Sequence, residues 1–392
     1  MGILEQLKFL LFSFLPDQFF AKIPATHADL TGRTYVVTGS NTGLGLATAI
    51  HLARMNPARL ILAVRDLKKG NAAKDEIIAE TAFAGLLEVW ELDMADFASV
   101  KGFVERVDNE LERVDGAILN AGINVPSWDV TVDGWEKTRV LFANSKSFPE
   151  AHSSHQIPSE LPCDCIPGRI AAPDSEKDRP APASASGCTQ NIAASDYHRL
   201  WSPYNPPRVR LITHYNPFQA HNPAQVVITQ TGFFRQSAHW LALFPEKKAP
   251  EILRALNDES KSIKRDRYPT SKLLLILFVR KLAALSAAEG VIVNVADPAL
   301  CISSIGSEYH LGKFAMFLVR RVAWTTTKGA LNLVYAVLKP TPSGAYISYC
   351  DVRRTVPWSV SDDGKRVQEK VWNEMVEVWR GVSPDVDDIV KS

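Results

Sequence analysis

The chain has 392 residues, a net charge of +1 and an apolar fraction of 46%. That length suits one large domain or two ordinary ones, and the composition excludes a disordered chain. The charge balance argues against a nucleic-acid binder, which carries a basic patch or stripe.

Five cysteines (Cys163, Cys165, Cys188, Cys301 and Cys350) show no paired metal spacing. Their odd number predicts a reducing compartment rather than a disulfide framework. The N-terminus, "MGILEQLKFLLFSFLPDQFF", holds an apolar core from Phe9 to Leu15. This is shorter than the ~20 residues that span a bilayer, and no small cleavage-site residues follow it. Leu4, Leu7, Leu11, Phe14 and Leu15 recur at helical spacing. The segment at 1–30 reads either as a helix packed on the domain surface or as one lying on a membrane through residues 3–20. The expected location is the cytoplasm, with peripheral contact to an intracellular membrane under the second reading.

"RTYVVTGSNTGLGLATAIHLARMN" begins with an apolar run, Tyr35–Val37, followed by Gly39, Gly43 and Gly45. A helical pattern then places Leu46, Ala49, Leu52 and Ala53 on one face. Strand, tight turn and helix in this order suit a pyrophosphate: glycines admit the backbone close to it, and a helix N-terminus offers N–H groups and partial positive charge. The spacing is Gly-x3-Gly-x-Gly. A second strand, Leu60–Val64, ends at Arg65. An acid at that point would favour NAD; Arg65, with Lys68 and Lys69 nearby, favours the extra phosphate of NADP. Asp66 reads as a helix N-cap. A third strand, Leu86–Leu92, leads to Asp93 and a helix with Phe97, Val100, Phe103, Val104 and Val107 on its inner face. A fourth strand, Gly116–Leu119, leads to Asn120, Ala121 and Gly122. Strand–helix alternation at this pace predicts an α/β, Rossmann-type doubly wound parallel sheet.

The motifs "TGSNTGLG", "LDMAD", "NAG" and "YPTSK" together resemble the short-chain dehydrogenases/reductases, and within them fungal enzymes related to the retinol dehydrogenases. The resemblance covers residues 1–138 and 237–390. It implies that Tyr268 is the general acid/base and that Lys272 lowers the cost of the phenolate and holds the nicotinamide ribose. A free phenol titrates near ~10, and a cation one helical turn away favours its ionised form. The apolar run "LLLILFV" that follows predicts a buried helix holding both groups still. The resemblance also implies a cofactor site built from Gly39, Ser40, Asn41, Gly43, Leu44 and Gly45 at the pyrophosphate turn. Arg65 would stand at the ribose, Asp93 and Met94 by the adenine, Asn120, Ala121 and Gly122 across the cleft, and Ser303 by the nicotinamide. After the sixth strand, "VIVNV", the family's Pro-Gly is replaced by Pro298-Ala299. Near the C-terminus, Val367, Val371, Met375 and Val376 mark the buried stripe of an amphipathic helix expected near the substrate mouth.

Between 139 and 236 the pattern breaks. Half of the chain's 24 prolines fall between 140 and 225, and no helical period survives there. The family's asparagine-bearing helix is not legible, and Asn144 is misplaced for its role. Cys163 and Cys165 with His152 and His155 lack the surroundings of a metal site, and no metal is expected. The stretch reads either as a long insertion in a single catalytic domain over 31–390, or as translated non-coding sequence in place of the family's helix and strand. Within it, Val226–Thr229 reads as a strand. On strand logic the substrate-orienting hydroxyl is Thr231; on resemblance it is Ser237.

These features predict an NADP(H)-dependent oxidoreductase that interconverts an alcohol and a ketone or aldehyde on a lipophilic small molecule, with fungal secondary metabolism as the setting. The alternative is a catalytically silent NADP-binding protein, its site left incomplete by the disrupted middle. Oligomeric state is not readable.

Overall fold

The structure is a computed structural model that describes residues 15–122, 127–137, 224–229, 244–261, 267–286, 290–302, 313–355, 357–383 and 386–387. The expectations placed on Ser237, Thr231, Ser303, Asn144, the His152/His155/Cys163/Cys165 set and the apolar run before residue 15 lie outside the described residues.

Eight strands form one sheet: β1 (Thr34–Thr38), β2 (Arg59–Val64), β3 (Leu86–Glu91), β4 (Gly116–Leu119), β5 (Ala224–Thr229), β6 (Val291–Asp297), β7 (Tyr346–Ser348) and β8 (Asp351–Arg353). Their order is β3-β2-β1-β4-β5-β6-β7-β8. All neighbours are parallel except β8, which runs antiparallel to β7. Strands buried on both faces read as continuous apolar runs, as "YVV", "LILAV" and "VVI" do here. The order reverses between β1 and β4, and a doubly wound sheet opens its ligand crevice at that switch, above the carboxyl ends of the strands.

Helices cover both faces. Helix α1 (Leu15–Phe20) precedes the sheet, and α2 (Gly43–Ala53), α3 (Leu67–Thr81) and α4 (Phe97–Glu110) alternate with its first strands. Beyond β5 come α5 (Ile252–Leu256), α6 (Arg267–Ser286), α7 (Lys313–Val322), α8 (Thr326–Leu338) and α9 (Asp362–Arg380). One-residue alternation divides the core. Tyr35 and Val37 pack with Leu52 of α2 and Leu333 of α8, whereas Val36 packs with Val100 of α4 and Leu277 of α6. The five apolar positions expected on the inner face of α4 are all buried. Asp66 caps α3, accepting a hydrogen bond from Lys69 N at 3.1 Å.

The stripe Val367, Val371, Met375 and Val376 is buried in α9, together with Trp372 and Trp379. Phe278 of α6 stacks on Trp372 at 5.5 Å and meets Trp379 edge-on at 5.9 Å. Helix α9 thereby clamps the outer side of α6, the helix that carries Tyr268 and Lys272.

The departure from Pro-Gly after β6 has a structural cost. Ala299 is buried and sits at φ 65°, in the left-handed region where a Cβ is disfavoured by about 1–2 kcal/mol. Its N–H donates to Asp297 Oδ1 at 2.8 Å, which holds it there. Glycine would relieve the strain but gain entropy in the unfolded chain. Ala299→Gly is therefore expected to stabilise the fold by up to about 1 kcal/mol, read as a higher thermal midpoint. An unchanged or lower midpoint would show that the strain is not felt.

Candidate active site

The first wall of the cleft is the turn between β1 and α2. Gly39 has φ 64°, and a Cβ placed on it would lie 2.8 Å from Ala121 Cα. The turn therefore passes directly against the chain leaving β4. Two hydrogen bonds fix this approach: Ala121 N donates to Thr38 Oγ1 at 2.9 Å, and Asn120 Nδ2 donates to Thr38 O at 3.2 Å. Gly45 meets the turn from the helix side. A Cβ there would overlap Gly39 O and lie 2.6 Å from Asn120 Nδ2.

Thr42, at the N-cap of α2, makes no side-chain capping bond, so no capping side chain takes the first-turn N–H groups. Ser40 Oγ is buried without a hydrogen-bond partner among the described residues. A helix N-terminus approached by a backbone stripped of Cβ atoms fits the pyrophosphate of a dinucleotide.

The same cleft is lined by Asn41, Gly43 and Leu44 at the turn, Arg65, Asp66 and Lys69 after β2, Asp93 and Met94 after β3, and Asn120, Ala121 and Gly122 after β4. Of the twelve positions the resemblance assigns to the dinucleotide from the turn through Gly122, Ser40 and Gly45 are buried beneath the lining and the other ten face the cleft. Asp93 Oδ1 accepts from Ala95 N at 2.9 Å, which fixes the bend after β3. At the edge of β2 the acid is already engaged. Besides its capping bond, Asp66 lies 3.9 Å from Lys69 Nζ, which leaves the exposed Arg65 as the cation of that rim outside the pair.

Tyr268 and Lys272 lie one turn apart at the start of α6. The apolar run Leu273–Val279 is buried throughout, which holds that helix against the sheet. Lys272 Nζ donates to Thr229 O, at the end of β5, at 3.4 Å and lies 5.4 Å from the centre of the Tyr268 ring. A methyl group placed on Gly122 would be 3.9 Å from the same ammonium. The ammonium thus joins three things: the end of β5, the tyrosine and the cleft-lining chain after β4. Burial pulls its pKa down to about 8, so it remains mainly cationic at neutral pH. A cation beside a phenol lowers the cost of the phenolate.

Comparison with known proteins places the chain in a family. Residues 33–148 match a family model described as short chain dehydrogenase. The short chain dehydrogenase/reductase dmxR8 of Cryptosporiopsis sp. (strain 8999) is 32% identical over 384 residues, covering 95% of this chain and 98% of that one. The chain belongs to the short-chain dehydrogenase/reductase family. The short-chain dehydrogenase anuD of Penicillium roqueforti (strain FM164) is 28% identical over 391 residues, covering 95% of this chain and 84% of its own. Among solved structures, levodione reductase superposes with a TM-score of 0.50 at 13% identity, covering 82% of this chain and 96% of that one; the likeness is one of fold. The family model runs ten residues past Thr138, where the sequence pattern was expected to end.

A dehydrogenase/reductase of this family is an oxidoreductase acting on a small molecule. Sequence reasoning missed part of the surroundings of its tyrosine. Glu136 and Arg267 form a buried ion pair beside Tyr268, tied to the half-buried Asn257, that no motif announced. At the other end, Cys301 and Cys350 are free thiols whose pKa values burial pushes up to about 12, which keeps them protonated and unreactive.

Proposed function

We propose that the chain is an NADP(H)-dependent oxidoreductase interconverting an alcohol and a ketone or aldehyde on a lipophilic small molecule, with Tyr268 as the acid/base. The observation that carries this reading is the place of Lys272 Nζ, between Tyr268 and the chain after β4 that lines the nucleotide cleft. A bound nicotinamide dinucleotide supplies or accepts the hydride. Tyr268 gives a proton to, or takes one from, the substrate oxygen. Lys272 keeps the phenolate accessible at neutral pH and holds the ribose hydroxyls. Ser237 orients the substrate oxygen by hydrogen bonding, a role carried over from the family resemblance alone.

Choice of NADP over NAD is supported by the rim after β2, where Asp66 is spent on capping and Arg65 and Lys69 stand exposed. A charge-assisted hydrogen bond to phosphate contributes about 1.5–3 kcal/mol. Arg65→Glu is therefore expected to lower the NADPH-over-NADH preference by roughly 10–100-fold, measured as the ratio of dissociation constants by fluorescence titration. An unchanged ratio would remove Arg65 from cofactor selection.

The lipophilic substrate is supported only by the resemblance of the sequence motifs to enzymes related to the retinol dehydrogenases, and the secondary-metabolite setting by the fungal dehydrogenases matched. Peripheral membrane contact draws support from Phe19 and Phe20 of α1, 52% and 80% exposed. Among the described residues no helix is long and apolar enough to cross a membrane.

A further inference from the structure

Immediately before Tyr268 the chain buries a charge. Arg267 is 2% exposed and faces Glu136, 0% exposed, with Nη1 3.4 Å from Oε1. A buried ion pair is weak evidence for stability, because the desolvation of two charges offsets much of their attraction. This one also stands where helix physics disfavours it. Arg267 occupies the first turn of a 20-residue helix, at the positive end of its macrodipole.

The carboxylate that answers the guanidinium comes from 131 residues away and is itself anchored. Glu136 N donates to Asn257 Oδ1 at 2.8 Å, and Asn257 Nδ2 donates to Gly134 O at 2.9 Å. Asn257 closes α5, and α9 holds α5 in turn, since Glu374 accepts hydrogen bonds from Ile252 N at 2.8 Å and Leu253 N at 2.6 Å. On the other side, the guanidinium lies 5.7 Å from the Trp128 ring. The anchored partner is therefore Glu136, and the group that must comply is the start of α6. Helix ends fray first, and the phenol is the very next residue.

We propose that the Glu136–Arg267 pair is a positioning device: it fixes the first turn of α6 and so holds the Tyr268 phenol in line with Lys272. Neither residue touches the reacting atoms. The proposal rests on the reading of Tyr268 as the acid/base. Misplacement by about 1 Å can reduce turnover by roughly 10²-fold, so a loosened first turn would be felt in kcat rather than in cofactor affinity.

The test uses the full chain labelled with 3-fluorotyrosine, with the Tyr268 resonance assigned as the line absent from Tyr268→Phe. Removing one partner alone takes from the other buried charge the ion pair that faces it, so the informative variant is the double one, Glu136→Gln with Arg267→Met; Arg267→Lys keeps the charge without the planar fork. In the double variant the Tyr268 line is expected to shift or split, while those of Tyr35 and Tyr346 in the sheet stay in place. NADPH affinity is expected to remain within about twofold, and kcat with an aryl ketone such as 1-tetralone to fall at least roughly tenfold with KM little changed. Arg267→Lys should lie between the double variant and the parent. A Tyr268 line identical to the parent's in the double variant overturns the proposal. So does a loss confined to KM or to NADPH binding. Should Tyr268→Phe itself retain turnover, the acid/base reading fails, and the fluorine spectrum still decides whether the pair positions the phenol.

Discussion

Tyr268→Phe is expected to cut kcat by about 10²–10⁴-fold while leaving the NADPH dissociation constant within about twofold of the parent. The substitution removes one oxygen and leaves the ring, which is 6% exposed and packed at the start of α6. Stability should therefore change little, and the loss can be assigned to chemistry. Lys272 would keep its bond to Thr229 O and its place beside Gly122, so the cleft retains its shape. Stopped-flow absorbance at 340 nm with an aromatic ketone separates the two quantities: fluorescence titration gives binding, and single-turnover decay gives the chemical step. A variant that turns over like the parent would remove Tyr268 from proton transfer. A variant that binds NADPH at least tenfold more weakly would place the phenol in cofactor binding instead.

The second large effect is expected at Gly45. A methyl group there would overlap Gly39 O and press on Asn120 Nδ2, and two of its three nearest neighbours are backbone atoms that cannot swing aside. Overpacking of this kind costs about 1–3 kcal/mol, and here the strain falls on the turn that faces the pyrophosphate. Gly45→Ala is expected to lower the thermal midpoint and to weaken NADPH binding by at least tenfold. Isothermal titration at a temperature well below the variant's own midpoint distinguishes a damaged cradle from a partly unfolded chain. Parental affinity in that variant would mean that the turn can relax without cost, and that its close approach to α2 is not what shapes the cofactor site.

The nucleotide half of the molecule was legible in the sequence because each signal there is local. Apolar runs bounded by glycine and aspartate give β1 to β4, and the stripe Phe97, Val100, Phe103, Val104 and Val107 gives α4. Asp66 announces its own helix. The strand read at Val226–Thr229 sits between β4 and β6, which completes the sheet inside a stretch whose composition argued against order. That local run of β-branched residues was stronger evidence than the prolines around it.

What sequence reasoning could not reach depends on distant partners. Glu136 and Arg267 belong to no motif, and only the fold brings them together. Trp372 and Trp379 extend the apolar stripe of α9 at four-residue spacing from Val376 and Met375, but the partner both rings pack on, Phe278, is distant in sequence and visible only in the fold. The left-handed backbone at Ala299 was visible solely as a departure from the family's Pro-Gly. Ser237, Thr231 and Ser303 lie outside the described residues, so the choice between the first two as the substrate-orienting hydroxyl rests on the sequence arguments alone.

The central claim is that the glycine turn and the Tyr268–Lys272 couple serve one reaction at one site. Deuterium transfer from stereospecifically labelled NADPH tests it most directly. Incubated with 1-tetralone and NADPH carrying deuterium on one or the other face of the nicotinamide, the chain is expected to place deuterium on the product carbinol carbon from one face only, and Tyr268→Phe to suppress that product. NADPH binding with no deuterated alcohol from either label, across a panel of aryl and alicyclic ketones, would contradict it.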